Sequence, residues 1–151
     1  MKKYLFLLLA MPLFFSACTK EEDPPPTEET KTPEDLLTAH SWKIQELRWV
    51  DQGTMYHYLR GTPGNGDIVA VEALTFYTDG TGKTHDNTPL TWQFLDPAKT
   101  KLKFTLTFPS GPVTVNWEHL VIKETSMTYG EYWTRATGPS VGFGTRIPTS
   151  M

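Results

Sequence analysis

The residues of this chain whose types could act on a substrate form no recognisable catalytic constellation in the sequence. The histidines His40, His57, His85 and His119 lie far apart and without ligand spacing, so a metal site among them would have to be assembled entirely by the fold. His85-Asp86 has the composition of a general base and its orienting carboxylate, but it follows a Gly-rich turn and reads as an exposed hairpin. The one cysteine, Cys18, precedes any stretch that could fold, which leaves the folded part without a thiol nucleophile. HExxH does not occur. The glycines of "RGTPGNGD", Arg60 to Asp67, match neither GxGxxG nor a GKS/T phosphate loop and read as turn geometry. The expectation is a protein with no catalytic residue, no metal and no cofactor, and so not an enzyme.

Aromatic content is the stronger signal. "MYHYLR", Met55 to Arg60, puts Tyr56 and Tyr58 on one face and Met55, His57 and Leu59 on the other, and "YGEYW" gathers Tyr129, Tyr132 and Trp133. Rings with one apolar and one polar edge suit a ligand wall, a sugar platform or a protein interface. Tyr56, Tyr58, Tyr129 and Trp133 are therefore the ligand-binding candidates. Phe76, Trp92, Phe94, Phe104 and Phe108 read as filling.

The elements that must position these residues are mostly strands. "TPEDLLTAH" offers Thr32 as N-cap, Pro33 at the first helical position and Glu34 and Asp35 in the first turn, which predicts a helix of about two turns. After it the period changes to two. In "KLKFTLTF", Leu102, Phe104, Leu106 and Phe108 share one face; "LTWQF" repeats the pattern with Leu90, Trp92 and Phe94. "SWKIQELRW" begins with Trp42 and Ile44 and resumes at Leu47 and Trp49, a one-residue slip that predicts a β-bulge. Val71 to Thr78, Val113 to Ile122, Met127 to Thr134 and Val141 to Ile147 are further strand candidates, separated by turns such as Asp79-Gly80, "DPAKT" and Ser110-Gly111. The expected class is all-β: an antiparallel up-and-down meander closing into a small barrel, with a short N-terminal helix.

The first residues read differently. Lys2 and Lys3, the run "YLFLLLAMPLFF" and the small Ser16 and Ala17 form the three parts of a secretory signal, and the run is too short for a comfortable membrane span. Cutting before Cys18 resembles the processing of bacterial lipoproteins, with Phe15 where that family usually has Leu. The resemblance implies acylation of Cys18, palmitate among the acyl chains, and attachment to a membrane. "TKEEDPPPTEETKTPED" is acidic and rich in Pro and Thr, as a tether is. Lys20-Glu21-Glu22-Asp23 resembles the export signal of some Gram-negative lipoproteins displayed on the outer face of the outer membrane. The division is residues 1–17 as a removed signal, 18–31 as tether and 32–151 as one barrel domain. With a formal charge of −3 before the signal's lysines are lost, the chain has no footprint for nucleic acid.

"LLTAHSWKI", "LTFYTDGTG", "LTWQFLDPAKTKLKFT" and "WEHLVIKETSMTYGEY", in this order, resemble the lipocalin-like lipoproteins of Gram-negative bacteria. The resemblance implies an up-and-down barrel that holds a small apolar or amphipathic molecule without chemistry. It also implies that Trp42, preceded by His40 where the family has Gly, closes the barrel floor beneath an Arg from a late strand. Arg135 or Arg146 can serve, and Arg135 is the one assigned here to the pair. An eight-stranded barrel is just wide enough to be packed solid or to hold one small ligand. The alternative is therefore a packed barrel at the outer membrane that docks a protein or glycan partner through exposed aromatics.

Overall fold

A computed structural model describes residues 30–62, 72–135 and 138–150, without the side chains of 133–135 and 138–139. The signal, Cys18 and most of the tether lie outside the described residues, as do Val71 and, in the Arg60 to Asp67 loop, everything from Pro63 on.

The helix is α1, Pro33–Thr38, and its start is the one its composition predicts: Thr32 and Asp35 cap each other in a reciprocal box. Nine strands follow: β1 Ser41–Asp51, β2 Thr54–Leu59, β3 Ala73–Phe76, β4 Thr81–Thr84, β5 Pro89–Phe94, β6 Leu102–Phe108, β7 Gly111–Ile122, β8 Met127–Arg135 and β9 Gly138–Pro148. All pairings are antiparallel, in the order β2-β1-β3-β4-β5-β6-β7-β8-β9, and β1 pairs with β9 as well. The chain is an all-β, closed, eight-stranded up-and-down barrel of β1 and β3 to β9, the architecture expected of a lipocalin-like fold. β1 has three neighbours because it is long. Its first residues, Ser41 to Lys43, pair with β3, whereas Glu46 to Asp51 pair with β2, and β9 runs along its other edge. The hairpin of β1 and β2 thus continues the wall beyond short β3 and β4.

Alternation sets the interior. Leu90, Leu102, Phe104, Leu106, Val115, Trp117, Met127 and Tyr129 are buried, and Trp92, Phe94 and Phe108 pack against them. The bulge appears where the sequence slips: the register between β1 and β9 shifts between Ile44 and Glu46. It keeps Trp42 and Ile44 on the inner face and returns Leu47 and Trp49 to it. β9 runs from Gly138 to Pro148, longer than the predicted Val141 to Ile147, and closes the barrel.

The turns follow their chemistry. Asp79 Oδ1 accepts from the backbone N–H and hydroxyl of Thr81, with Gly80 at φ 81°; Asp96 accepts from the N–H groups of Thr100 and Lys101. One end of the barrel is shut. Leu37 of α1 is fully buried there and its carbonyl accepts from Trp42 Nε1 at 2.8 Å. Ion pairs Lys99–Glu34 at 2.5 Å and Lys31–Glu124 at 2.6 Å tie the helix region to the loops around it, but their exposure makes each worth little.

Candidate functional site

Three places on the barrel carry side chains arranged for more than packing. The first is a buried layer above the floor. Phe76 meets Trp92, Phe104 and Trp117 edge-on at centroid distances of 5.9, 6.1 and 6.1 Å, and Trp117 stacks on Tyr129 at 4.0 Å. Against this stack lies Arg146 of β9, 1% exposed. Its Nη1 donates to the carbonyls of Trp42 at 3.0 Å and Glu72 at 3.3 Å, and its Nε donates to the Tyr129 hydroxyl at 3.1 Å. The guanidinium sits 5.4 Å from the Trp117 ring centroid and 5.8 Å from that of Tyr129. A buried cation is tolerable here because backbone carbonyls and two π faces surround it.

Glu131 continues the inner row of Met127 and Tyr129, and its Oε2 accepts from Trp117 Nε1 at 3.0 Å. Burial pushes its carboxyl above the usual range, against the pull of the Trp117 hydrogen bond and the Arg146 charge. Burial likewise pushes the Tyr129 phenol up, although Arg146 opposes it.

The second place is the end of the barrel opposite α1. Leu47 and Trp49 pair with Gly144 and Gly142 of the inner row of β9, and Ser140 Oγ donates to Asp51 Oδ1 at 3.0 Å. Across the hairpin Trp49 faces Tyr56 and Leu47 faces Tyr58. The rings of Trp49 and Tyr56 stack at 5.0 Å, and Tyr56 remains 43% exposed while Tyr58 is half-buried.

The third lies on the outside of the wall, where β1, β9, β8 and the β7 bulge meet in a groove of about 360 Å³. Glu46, Arg48, His119, Thr128, Phe143 and Thr145 line it. Glu46 Oε1 accepts from Arg48 at 2.7 Å and from His57 at 2.9 Å; first the His57 bond and then Arg48 hold its carboxyl below the usual range.

The ligand candidates separate accordingly. Tyr56 and Tyr58 share the rim, whereas Tyr129, 3% exposed, belongs to the buried layer. Trp133 lies opposite Ser140 in the β8–β9 register, and its side chain lies outside the description. Trp42 is at the floor, with His40 edge-on at 5.8 Å. The arginine brought to it is Arg146, through the Trp42 carbonyl. Arg135 pairs with Gly138 while Trp42 pairs with Pro148, so the register sets Arg135 at the opposite end of β9. His85 and Asp86 do not form a working pair: Asp86 accepts from the Thr84 hydroxyl and the Thr88 N–H and so shapes the turn. Among the described residues no group of three or more His, Cys, Asp or Glu comes together as metal ligands would. Nor is any described helix long and apolar enough to cross a membrane.

Sequence reasoning passed over Glu131, Trp49 as the partner of Tyr56, and the outer groove. The first was within reach, since alternation from Met127 and Tyr129 puts Glu131 on the inner face. The groove was not, because its lining comes from four strands whose register no local pattern specifies. No family model, no curated protein and no solved structure matches this chain.

Proposed function

We propose that the protein is a non-catalytic binding protein, anchored by lipid on Cys18 and displayed at the surface of the outer membrane, that takes a small apolar or amphipathic ligand at the open end of its barrel. The observation that carries this reading is the Trp49–Tyr56 stack, which stands at the end away from α1 and keeps Tyr56 accessible. Below it the interior is filled by Trp117, Tyr129, Phe76 and Arg146, so the ligand sits at the rim and not deep in the barrel. Stacked aromatics on a partly solvated wall supply apolar area and a polar edge together. The same filled interior favours a second reading, a packed barrel that docks a protein or glycan partner through its outside.

The test is native mass spectrometry of the full chain released from membranes, with and without added fatty acids and bile-acid-like amphiphiles. A stoichiometric adduct that Trp49→Ala abolishes is expected. A bare mass with every amphiphile would overturn the rim-ligand reading in favour of the second. The anchor is tested apart from it: Cys18→Ala should move the folded protein from the membrane pellet to the supernatant, and a variant that still sediments with membranes would sink the lipid attachment.

A further inference from the structure

The outer groove is built by register. In one cross-barrel row Glu46 of β1 lies beside Thr145 of β9, which lies beside Thr128 of β8; in the next row Arg48 lies beside Phe143, which lies beside Gly130. Side chains of both rows point away from the core, because their neighbours Ile44, Arg146 and Tyr129 point into it. Gly130 has no side chain to stand beside Phe143. The Phe143 ring lies within ordinary contact of the place a Cβ would take on Gly130, so the ring rests over bare backbone with the rest of its surface in water. It is 59% exposed, an expensive position for a phenylalanine on a sheet face that packs on nothing described. His119 reaches the same groove because the β7–β8 register breaks between Glu118 and Val121, with His119 at φ 53°.

The lining has a particular chemistry. One apolar plate, Phe143, is ringed by two hydroxyls, an imidazole, a guanidinium and a carboxylate. The charged side chains of the lining already answer one another: Glu46 is paired with Arg48 and His57 through Oε1. The groove still offers hydrogen bonds. Among the described residues the contacts of Glu46 converge on Oε1, which leaves Oε2 an acceptor, and the hydroxyls of Thr128 and Thr145 both donate and accept. At about 360 Å³ the volume is that of a small-molecule site at its lower end. A ligand that is apolar on one flat face, rich in hydroxyls around its edge and uncharged is a sugar ring in its chair form.

From this we infer that the groove is a saccharide subsite, with Phe143 stacking on the C–H face of a neutral pyranose and Glu46, Arg48, Thr128 and Thr145 bonding its hydroxyls. The inference deepens the second reading above by naming the partner class, and it is independent of the rim ligand and of Cys18.

The experiment is saturation-transfer NMR on the full chain in a detergent without a sugar headgroup, against neutral monosaccharides and disaccharides of glucose, galactose, mannose and N-acetylglucosamine. Transfer to ring C–H protons of at least one sugar is expected, with binding roughly tenfold weaker in both Phe143→Ala and Glu46→Gln. Phe143 is exposed, so the first variant should melt with the wild type, which separates lost binding from lost folding. Transfer from a monosaccharide would identify a free sugar as a sufficient ligand, and transfer from disaccharides alone would identify a glycan chain. No transfer from any sugar would overturn the inference. So would binding that Phe143→Ala leaves intact and Trp49→Ala removes, since the sugar would then sit at the rim. That last result would leave the docking of a glycan standing and refute only its placement.

Discussion

Arg146 offers the sharpest test of how this barrel is held together. Truncating it to Ala removes the hydrogen bonds that this charged donor makes to the Trp42 carbonyl, the Glu72 carbonyl and the Tyr129 hydroxyl, and withdraws a cation from the Trp117 and Tyr129 rings. Desolvated hydrogen bonds to a charged group are worth about 1.5 to 3 kcal/mol each before compensation. They do not add, because the rings relax and water enters the space left by the side chain. Removing one member of a buried charged cluster costs about 3 to 5 kcal/mol, and about 4 is expected here. At roughly 4 °C per kcal/mol for a domain of this size, the melting temperature should fall by about 15 °C. Arg146→Lys keeps the charge but lacks the planar fork that serves several acceptors at once, so it should lose about half as much. The assay is thermal and urea denaturation followed by near-ultraviolet circular dichroism, which reports the packing of Trp117. A loss under about 1 kcal/mol for Arg146→Ala, or a Lys variant indistinguishable from wild type, would refute the idea that the guanidinium organises the floor.

Two further outcomes follow from the same layer. A Cβ on Gly144 would fall inside the Tyr129 ring, far closer than carbon atoms pack, so Gly144→Ala should expel Tyr129 from its stack on Trp117. The cost should approach the roughly 3 to 5 kcal/mol of an aromatic truncation; a wild-type urea midpoint would show that the ring is not held there. Glu131 titrates above the ordinary carboxylate range, so the folded chain keeps a proton that the unfolded chain has already released. Its contribution is therefore fully present below the unfolded value of about 4.3 and is lost as pH rises through the folded value. Melting temperatures of wild type and Glu131→Gln measured from pH 4 to 8 should diverge as pH rises, the variant gaining; parallel curves would mean that the carboxyl is not held neutral.

Much of the architecture was legible in local pattern. The period of two in "KLKFTLTF" needs only that one face be buried, the slip after Ile44 needs one extra residue, and Thr32, Pro33 and Asp35 announce the helix, because each of these signals acts over a few residues. β4 was not legible: "TGKT" has no apolar alternation, and it is a strand because β3 and β5 flank it and supply its hydrogen bonds. The candidate sites divide in the same way. Tyr56 and Tyr58 share a face by alternation alone, while Tyr129, two residues from Glu131 on an equally aromatic strand, is core because Trp117 and Arg146 lie against it.

What the sequence determined by itself is therefore what short range can encode: an all-β chain, where its strands turn, which side chains of each strand share a face, and an N-terminal stretch unlike the rest in composition. Which arginine reaches Trp42, which tyrosine is buried and which residues meet in the outer groove were decided by the closure of β1 on β9. That closure sets the register between residues about a hundred positions apart. A shift of one residue there would exchange the inner and outer rows of β9, putting Phe143 in the core and Arg146 in water. Inner volume selects against that shift: Gly144 on the inner row leaves room for the Tyr129 ring packed against it, and no pattern within β9 alone measures that room.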